Sequence, residues 1–226
     1  MPAPQAVVYL VRHAHSTANG RGILAGRVPG VALSERGQAE AELLAKRLEA
    51  LSLDLVISSP LQRCIETIAP FRRSSKRTIF RKDARIQEMD YGTWSGKKLK
   101  YLATLRLWNQ IQAHPASVRF PEGESFLEMS LRANSAVMDA KAQGKSIAII
   151  SHGDVIKSII AHHVGLTVDD LQKFIVDPAS ISTIILTDHG SLIMSLNDTS
   201  HLASMRSSTA KRRPNRNTLG GGAGAK

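Results

Sequence analysis

Leu10-Val11-Arg12-His13-Ala14-His15-Ser16-Thr17-Ala18-Asn19 is the stretch on which the reading of this chain turns. The residues leading into it, Ala6-Val7-Val8-Tyr9-Leu10-Val11, are continuously apolar, as strands covered on both faces tend to be. The run breaks off at a basic pair, so Arg12 and His13 stand at a strand end, on rigid backbone. The pattern returns late in the chain, where Ile147-Ala148-Ile149-Ile150 runs into Ser151-His152-Gly153. Two imidazoles are thus expected at two strand ends.

Outward from these strands, the pattern alternates. Strand-like runs cover 6–11, 53–58, 78–80, 146–151, 181–186 and 191–195, with Asp188-His189-Gly190 as a tight turn between the last two. Between them fall helical segments. Ser34 can cap one that reaches about Leu51, and Pro60 can open another over 61–70. Others are expected over 97–112, over 125–143 with Ser125 and Glu128 as a capping box, and over 153–164. Strands alternating with helices predict a three-layer α/β/α sandwich around a mostly parallel, mixed sheet of about six strands. In such sheets, sites form at the carboxyl ends of strands, where both histidines fall.

Composition bounds the rest. At 226 residues, with 42% hydrophobic and 22% charged residues, the chain suits one domain with a full core. No apolar run is long enough to span a membrane, and Met1 to Ala6 lacks the basic start of a signal peptide. The lone Cys64 forms no internal disulfide, which fits a cytoplasmic location; it reads as a small core residue, with a nucleophile as the rival. The net charge of +11 suggests nucleic acid until it is mapped. Arg206, Lys211, Arg212, Arg213, Arg216 and Lys226 fall in a Ser- and Gly-rich end without acids, so 199–226 reads as a disordered tail after a domain of 1–198. A second basic cluster (Arg72, Arg73, Lys76, Arg77, Arg81, Lys82) reads as a solvated loop, with recruitment of anionic substrates as the alternative. Nucleic acid is therefore not an expected partner beyond nonspecific contacts of the tail.

Four fragments carry chemistry. They are Arg12-His13; Ser59-Pro60-Leu61-Gln62-Arg63, which projects Arg63 from a first helical turn; Glu88-Met89-Asp90-Tyr91-Gly92-Thr93-Trp94, a loop with a carboxylate; and Ser151-His152-Gly153. Guanidinium groups beside imidazoles suit an anion such as phosphate, and helix N-termini add donors. Either Glu88 or Asp90 could move a proton, Glu88 being the first choice. Glu124 and Ser125 read equally as a helix cap or as substrate contacts. No Cys/His cluster has zinc-site spacing.

In this set the chain resembles the histidine phosphatase superfamily, the phosphoglycerate-mutase-like clan, over about 6–196. The resemblance rests on Arg12-His13-Ala14 through Asn19, Ser59 through Arg63, Glu88 with Gly92 and Trp94, Gly123-Glu124-Ser125, and Ser151-His152-Gly153. It implies that His13 attacks phosphorus and forms phosphohistidine. Arg12, Arg63 and His152 would surround the phosphoryl oxygens, with Asn19 and Gly153 also on the phosphate, and Glu88 would serve as general acid and base. Such chemistry needs no metal and no cofactor. Two departures stand out: Ala14 replaces a glycine, and Ser95 stands where many members have glutamate. The long basic insertions of mutases are missing, so the expectation is a phosphatase acting on a small phosphorylated metabolite. Phosphoglycerate mutase-type transfer and a non-catalytic phosphate- or nucleic-acid-binding protein are the alternatives. Tyr91, Trp94, Trp108 and Phe120 could line an apolar side of the cleft, Trp108 being the best suited to the core.

Overall fold

The computed structural model describes residues 5–205. Six strands form one sheet in the order β3-β2-β4-β1-β5-β6. They are β1 (Ala6–Arg12), β2 (Leu55–Ser58), β3 (Ile79–Lys82), β4 (Ser146–Ser151), β5 (Ile181–Thr187) and β6 (Gly190–Asp198). The pairs β2–β3, β2–β4 and β1–β4 are parallel, whereas β5 runs antiparallel to β1 and to β6. Among the described residues the α-helices are α1 (Thr17–Gly20), α2 (Glu35–Glu49), α3 (Gln62–Ser74), α4 (Leu99–Leu102), α5 (Arg106–Ala113), α6 (Phe126–Lys141) and α7 (Gly153–His163). None of the described helices is long and apolar enough to cross a membrane.

The period of two along each strand divides the core. Val8 and Leu10 of β1, with Ile147 and Ile149 of β4, pack on one face against Ala133, Val137, Ile156 and Ile160 of α6 and α7. Val11, Ala148 and Ile150 face the other way, against Leu44 and Leu48 of α2 and Cys64, Ile68 and Phe71 of α3. The expected three layers are therefore present. Caps set the helix starts: Ser34 Oγ accepts from Gly37 N–H, and Ser125 forms a reciprocal capping box with Glu128.

Several boundaries differ from the sequence reading. α3 runs through Pro70 to Ser74, although proline removes a backbone bond there. Phe71, buried and set 6.0 Å from the Phe80 ring, supplies packing that carries the helix on. Arg72 and Arg73 are thus helical, and Arg81 and Lys82 lie in β3, so the basic cluster is exposed but only partly loop. The helix expected over 97–112 is broken into α4 and α5. Thr104 Oγ donates to the Tyr101 carbonyl at 2.7 Å and Leu105 turns extended, a side-chain bond competing with the helical ladder. Past the boundary expected at 198, Ser200–Met205 forms a 3-10 turn whose Leu202 is buried beside α2. The rest of the expected tail, 206–226, lies outside the described residues.

Register brings the motifs together. Parallel pairing sets Arg12 opposite Ser151, and Ser58 opposite Ile150. The strands β2, β4 and β1 are neighbours, so the residues that follow their carboxyl ends converge at one edge of the sheet.

Candidate active site

His13 follows β1 directly. Its Nδ1 lies 2.8 Å from the carbonyl oxygen of Ala14, and its Nε2 lies 3.2 Å from Nε of Arg63. Arginine offers only donors, so Nε2 must accept; the ring proton then sits on Nδ1 and goes to the carbonyl. The two contacts together select one neutral tautomer with its lone pair on Nε2. Burial, then the charges of Arg63 and Arg12, hold the His13 pKa well below the usual imidazole value, in agreement with a neutral ring.

The loop carrying His13 is pinned by both helices of its layer. Ala14 N–H donates to Thr67 Oγ at 2.9 Å, and that hydroxyl donates to the Arg63 carbonyl at 2.6 Å. His15 N–H donates to the buried carboxylate of Glu40 at 2.8 Å. The first turn of α2 comes so close that a Cβ on Gly37 would stand 1.9 Å from the His15 carbonyl oxygen. Ala14 is not among the described non-glycine residues with positive φ, which are Ser52, Glu122, Ala179 and Asn197. Alanine in place of the family's glycine therefore carries no backbone strain.

Arg63, in the first turn of α3, is the hub. Besides His13 it donates through Nη2 to the Gly26 carbonyl at 2.8 Å and to Nδ1 of His152 at 3.1 Å. By the same donor argument His152 carries its proton on Nε2, which lies 2.8 Å from Ser59 Oγ. Burial and the field of Arg63 push the His152 pKa well below the usual value. The resemblance implies a place for His152 around the phosphoryl oxygens; here its ring lies 5.2 Å from the His13 ring and accepts from Arg63. Cys64 Sγ sits beside it, 3.5 Å from Nε2, with its thiol pushed up to about 12 by burial. That makes Cys64 a core residue and a poor nucleophile.

Arg12, His13, Asn19, Arg63 and Glu88 share the wall of one cleft; His152 and Gly153 do not reach it. Gly153 opens α7 immediately after His152. Asn19 Oδ1 is occupied by the backbone N–H of Ser16 at 3.0 Å and its hydroxyl at 2.9 Å, so Asn19 can meet a ligand only through its amide donors. Arg12 is buried and donates to the Val176 carbonyl at 2.5 Å.

Glu88 is 4% exposed, and its Oε1 accepts from Met89 N–H at 3.0 Å. Burial raises its carboxyl from the ordinary 4.5 to about 7, helped by Asp154 and opposed by Arg63, the Met89 bond and Arg12. Asp90 is a different kind of acid: 39% exposed, capping Gly92 N–H and facing Arg27. Arg85, three residues before Glu88, pairs with Asp83 and Asp139 rather than with Glu88. The acid loop itself is clamped. Arg132 donates to the carbonyls of Arg85, Gln87 and Glu88 at 2.5, 2.7 and 3.2 Å, and Arg27 donates to the Glu88 carbonyl at 2.9 Å. Both guanidiniums meet Glu124, which also accepts from Asp90 N–H. Glu124 and Ser125 are thus a loop brace and a helix cap.

Of the four aromatic residues, Tyr91 alone reaches the cleft wall. Trp94, Trp108 and Phe120 pack in the core, with Trp94 stacked on Trp108 at 6.4 Å. Sequence reasoning passed over Ser16, Glu40, Thr67, Arg27, Arg132 and Asp154. The Ser16-x-x-Asn19 cap was readable; the others act across 25 residues or more, and no local pattern announces them. Among the described residues, no group of three or more His, Cys, Asp or Glu is placed to hold a metal ion.

The sequence profile of the histidine phosphatase superfamily (branch 1) matches residues 8–199. Phosphoserine phosphatase 1 of Hydrogenobacter thermophilus is 31% identical over 203 residues, covering 85% of this chain and 92% of that one. A 2,3-bisphosphoglycerate-dependent phosphoglycerate mutase of Brucella anthropi is 30% identical over 179 residues, covering 73% and 84%. Among solved structures, Bacillus stearothermophilus YhfR superposes with a TM-score of 0.81 at 26% identity, covering 87% of this chain and 99% of that one.

Proposed function

The chain belongs to the histidine phosphatase superfamily (branch 1), and from that membership we propose that it is a metal-independent phosphomonoesterase working through a phosphohistidine at His13. The observation that carries this reading is the pair of contacts that leave His13 neutral, with the Nδ1 proton on the Ala14 carbonyl and the Nε2 lone pair accepting from Arg63 Nε, a bond that must give way as Nε2 turns to phosphorus.

In this reaction Nε2 attacks phosphorus, the N–P bond forms and the ester P–O bond breaks. Glu88, protonated near neutrality, gives its proton to the departing oxygen. The Ala14 carbonyl then faces the Nδ1–H of a cationic ring, a stronger bond than the one it accepts at rest. Arg12 and Arg63 meet the charge on the phosphoryl oxygens, so the chain itself supplies the neutralisation. Asn19 adds an amide donor. His152 serves through Arg63, which it keeps within reach of His13. In the second half-reaction the Glu88 carboxylate takes a proton from water, the water oxygen attacks phosphorus, and the N–P bond breaks to release phosphate. Membership and the named relatives support a small phosphorylated substrate.

The test is His13→Ala assayed against an aryl phosphate, together with an alkaline quench of the native enzyme. Loss of turnover and a phosphorylated peptide containing residue 13 are expected. Unchanged turnover in the variant rejects His13 as nucleophile. Because a mutase relative is comparably similar, the native enzyme is also given 3-phosphoglycerate: free phosphate supports the phosphatase, isomerised product the mutase.

A further inference from the structure

The cleft has two chemically different ends. Its charged groups, Arg12, Arg63 and Glu88, are all buried, whereas Asn19, Ile23, Ala25 and Leu99 of its wall keep some exposure. None of these four carries a charge. A phosphoryl group held by the buried arginines must extend its leaving group toward solvent, so the leaving group meets this outer wall.

The apolar part of that wall is built on a fixed frame. Leu24 N–H donates to the Lys97 carbonyl at 2.9 Å, Gly96 N–H to the Leu24 carbonyl at 2.8 Å and Leu99 N–H to the Gly22 carbonyl at 2.8 Å. Those bonds tie the segment carrying Ile23 to the one carrying Leu99. Leu99 stands in the run Lys97-Lys98-Leu99-Lys100, and of these four the leucine alone lines the cleft; the three lysines are exposed outside it. Arg21, two residues before Ile23, is likewise exposed and outside the wall. Arg27, the next cation along, is taken up by Asp90, Glu124 and the Glu88 carbonyl. A carboxylate on the leaving group would therefore lose water against Ile23 and Leu99 and gain no cation in return. An apolar group would release water from both surfaces.

We propose that this site prefers phosphomonoesters whose leaving group is uncharged and apolar beyond the ester oxygen, with Ile23 and Leu99 as the residues that set the preference. This rests on the phosphatase reading above and narrows its substrate class.

The experiment gives the full-length enzyme 2-phenylethyl phosphate, O-phosphoserine and 3-phosphoglycerate, and reads kcat/KM from free phosphate. All three release a primary alcohol, so their bond-breaking chemistry is alike. Salt is kept at about 0.15 M, where attraction of anions to the exposed lysines is largely screened. The native enzyme should favour 2-phenylethyl phosphate by roughly tenfold or more. Leu99→Lys should lower kcat/KM for that ester by roughly tenfold and raise it for the two carboxylate-bearing esters. Ile23→Ala, on the facing segment, should lower it for 2-phenylethyl phosphate several-fold, and carries the test should the Leu99 variant not fold. Equal or greater kcat/KM for phosphoserine or 3-phosphoglycerate in the native enzyme overturns the preference and leaves the phosphatase reading standing. A ranking that neither variant moves overturns the assignment to Ile23 and Leu99. If no ester releases phosphate, or 3-phosphoglycerate is isomerised instead, the phosphatase reading falls and the preference with it.

Discussion

Glu88→Gln should make the protein more stable above neutral pH while it disables the chemistry, and the size of the gain follows from the structure. The native carboxyl is buried and titrates near 7, against 4.5 when exposed. Between those values the unfolded chain has released the proton and the folded one still holds it. Folding stability must therefore fall as pH rises from about 4.5 to about 7, and stay reduced above that. Multiplying the difference by about 1.4 kcal/mol per pH unit puts the cost at roughly 3 to 4 kcal/mol, a third or so of a typical domain's stability. Glutamine keeps an oxygen for the Met89 N–H and has nothing to ionise. The assay is urea unfolding of both proteins at pH 4.5, 6 and 8. The stability difference should be near zero at pH 4.5 and should reach roughly 3 to 4 kcal/mol in favour of the variant at pH 8. A difference that is constant across this range would refute the reasoning, because a simple packing effect of the substitution does not depend on pH.

Other perturbations probe the frame around that carboxyl. Arg132→Ala removes the donor to three loop carbonyls and leaves Glu124 short of a partner, so it should cost about 3 kcal/mol and lower kcat as well. Arg132→Lys should recover little of either, since one ammonium cannot span those acceptors; denaturant melts and initial rates check both. Gly92→Ala should disorganise the same loop. Its φ of +50° disfavours a side chain, and a Cβ would stand 1.9 Å from the Pro121 carbonyl oxygen; the Tm is expected to drop by several degrees or more. Cys64, raised to about 12 and buried, should resist a thiol reagent at pH 8 in the folded protein and react fully in urea. Rapid native-state labelling would contradict its placement.

Tertiary structure was most decisive where residues far apart in sequence meet. From the alternation of apolar runs and capped helices, the layered sheet and the strand-end position of His13 and His152 were legible, because both depend on periods of two and 3.6 within short windows. Local pattern failed at Pro70, where burial of Phe71 outweighed a breaker, and near Thr104, where a hydroxyl interrupted a helix that its apolar spacing favoured. Arg12, His13, Arg63 and Glu88 could be nominated from their motifs, yet their states could not. Which nitrogen of His13 carries the proton depends on the Arg63 guanidinium, 50 residues away. Whether Glu88 or Asp90 is buried depends on how Arg132 and Arg27 grip the loop between them. Sequence alone determined which chemical groups this protein brings to the end of its sheet. Protonation and burial of those groups were decided only by the fold, because the electric field at an atom is a sum over neighbours that the chain order does not place side by side.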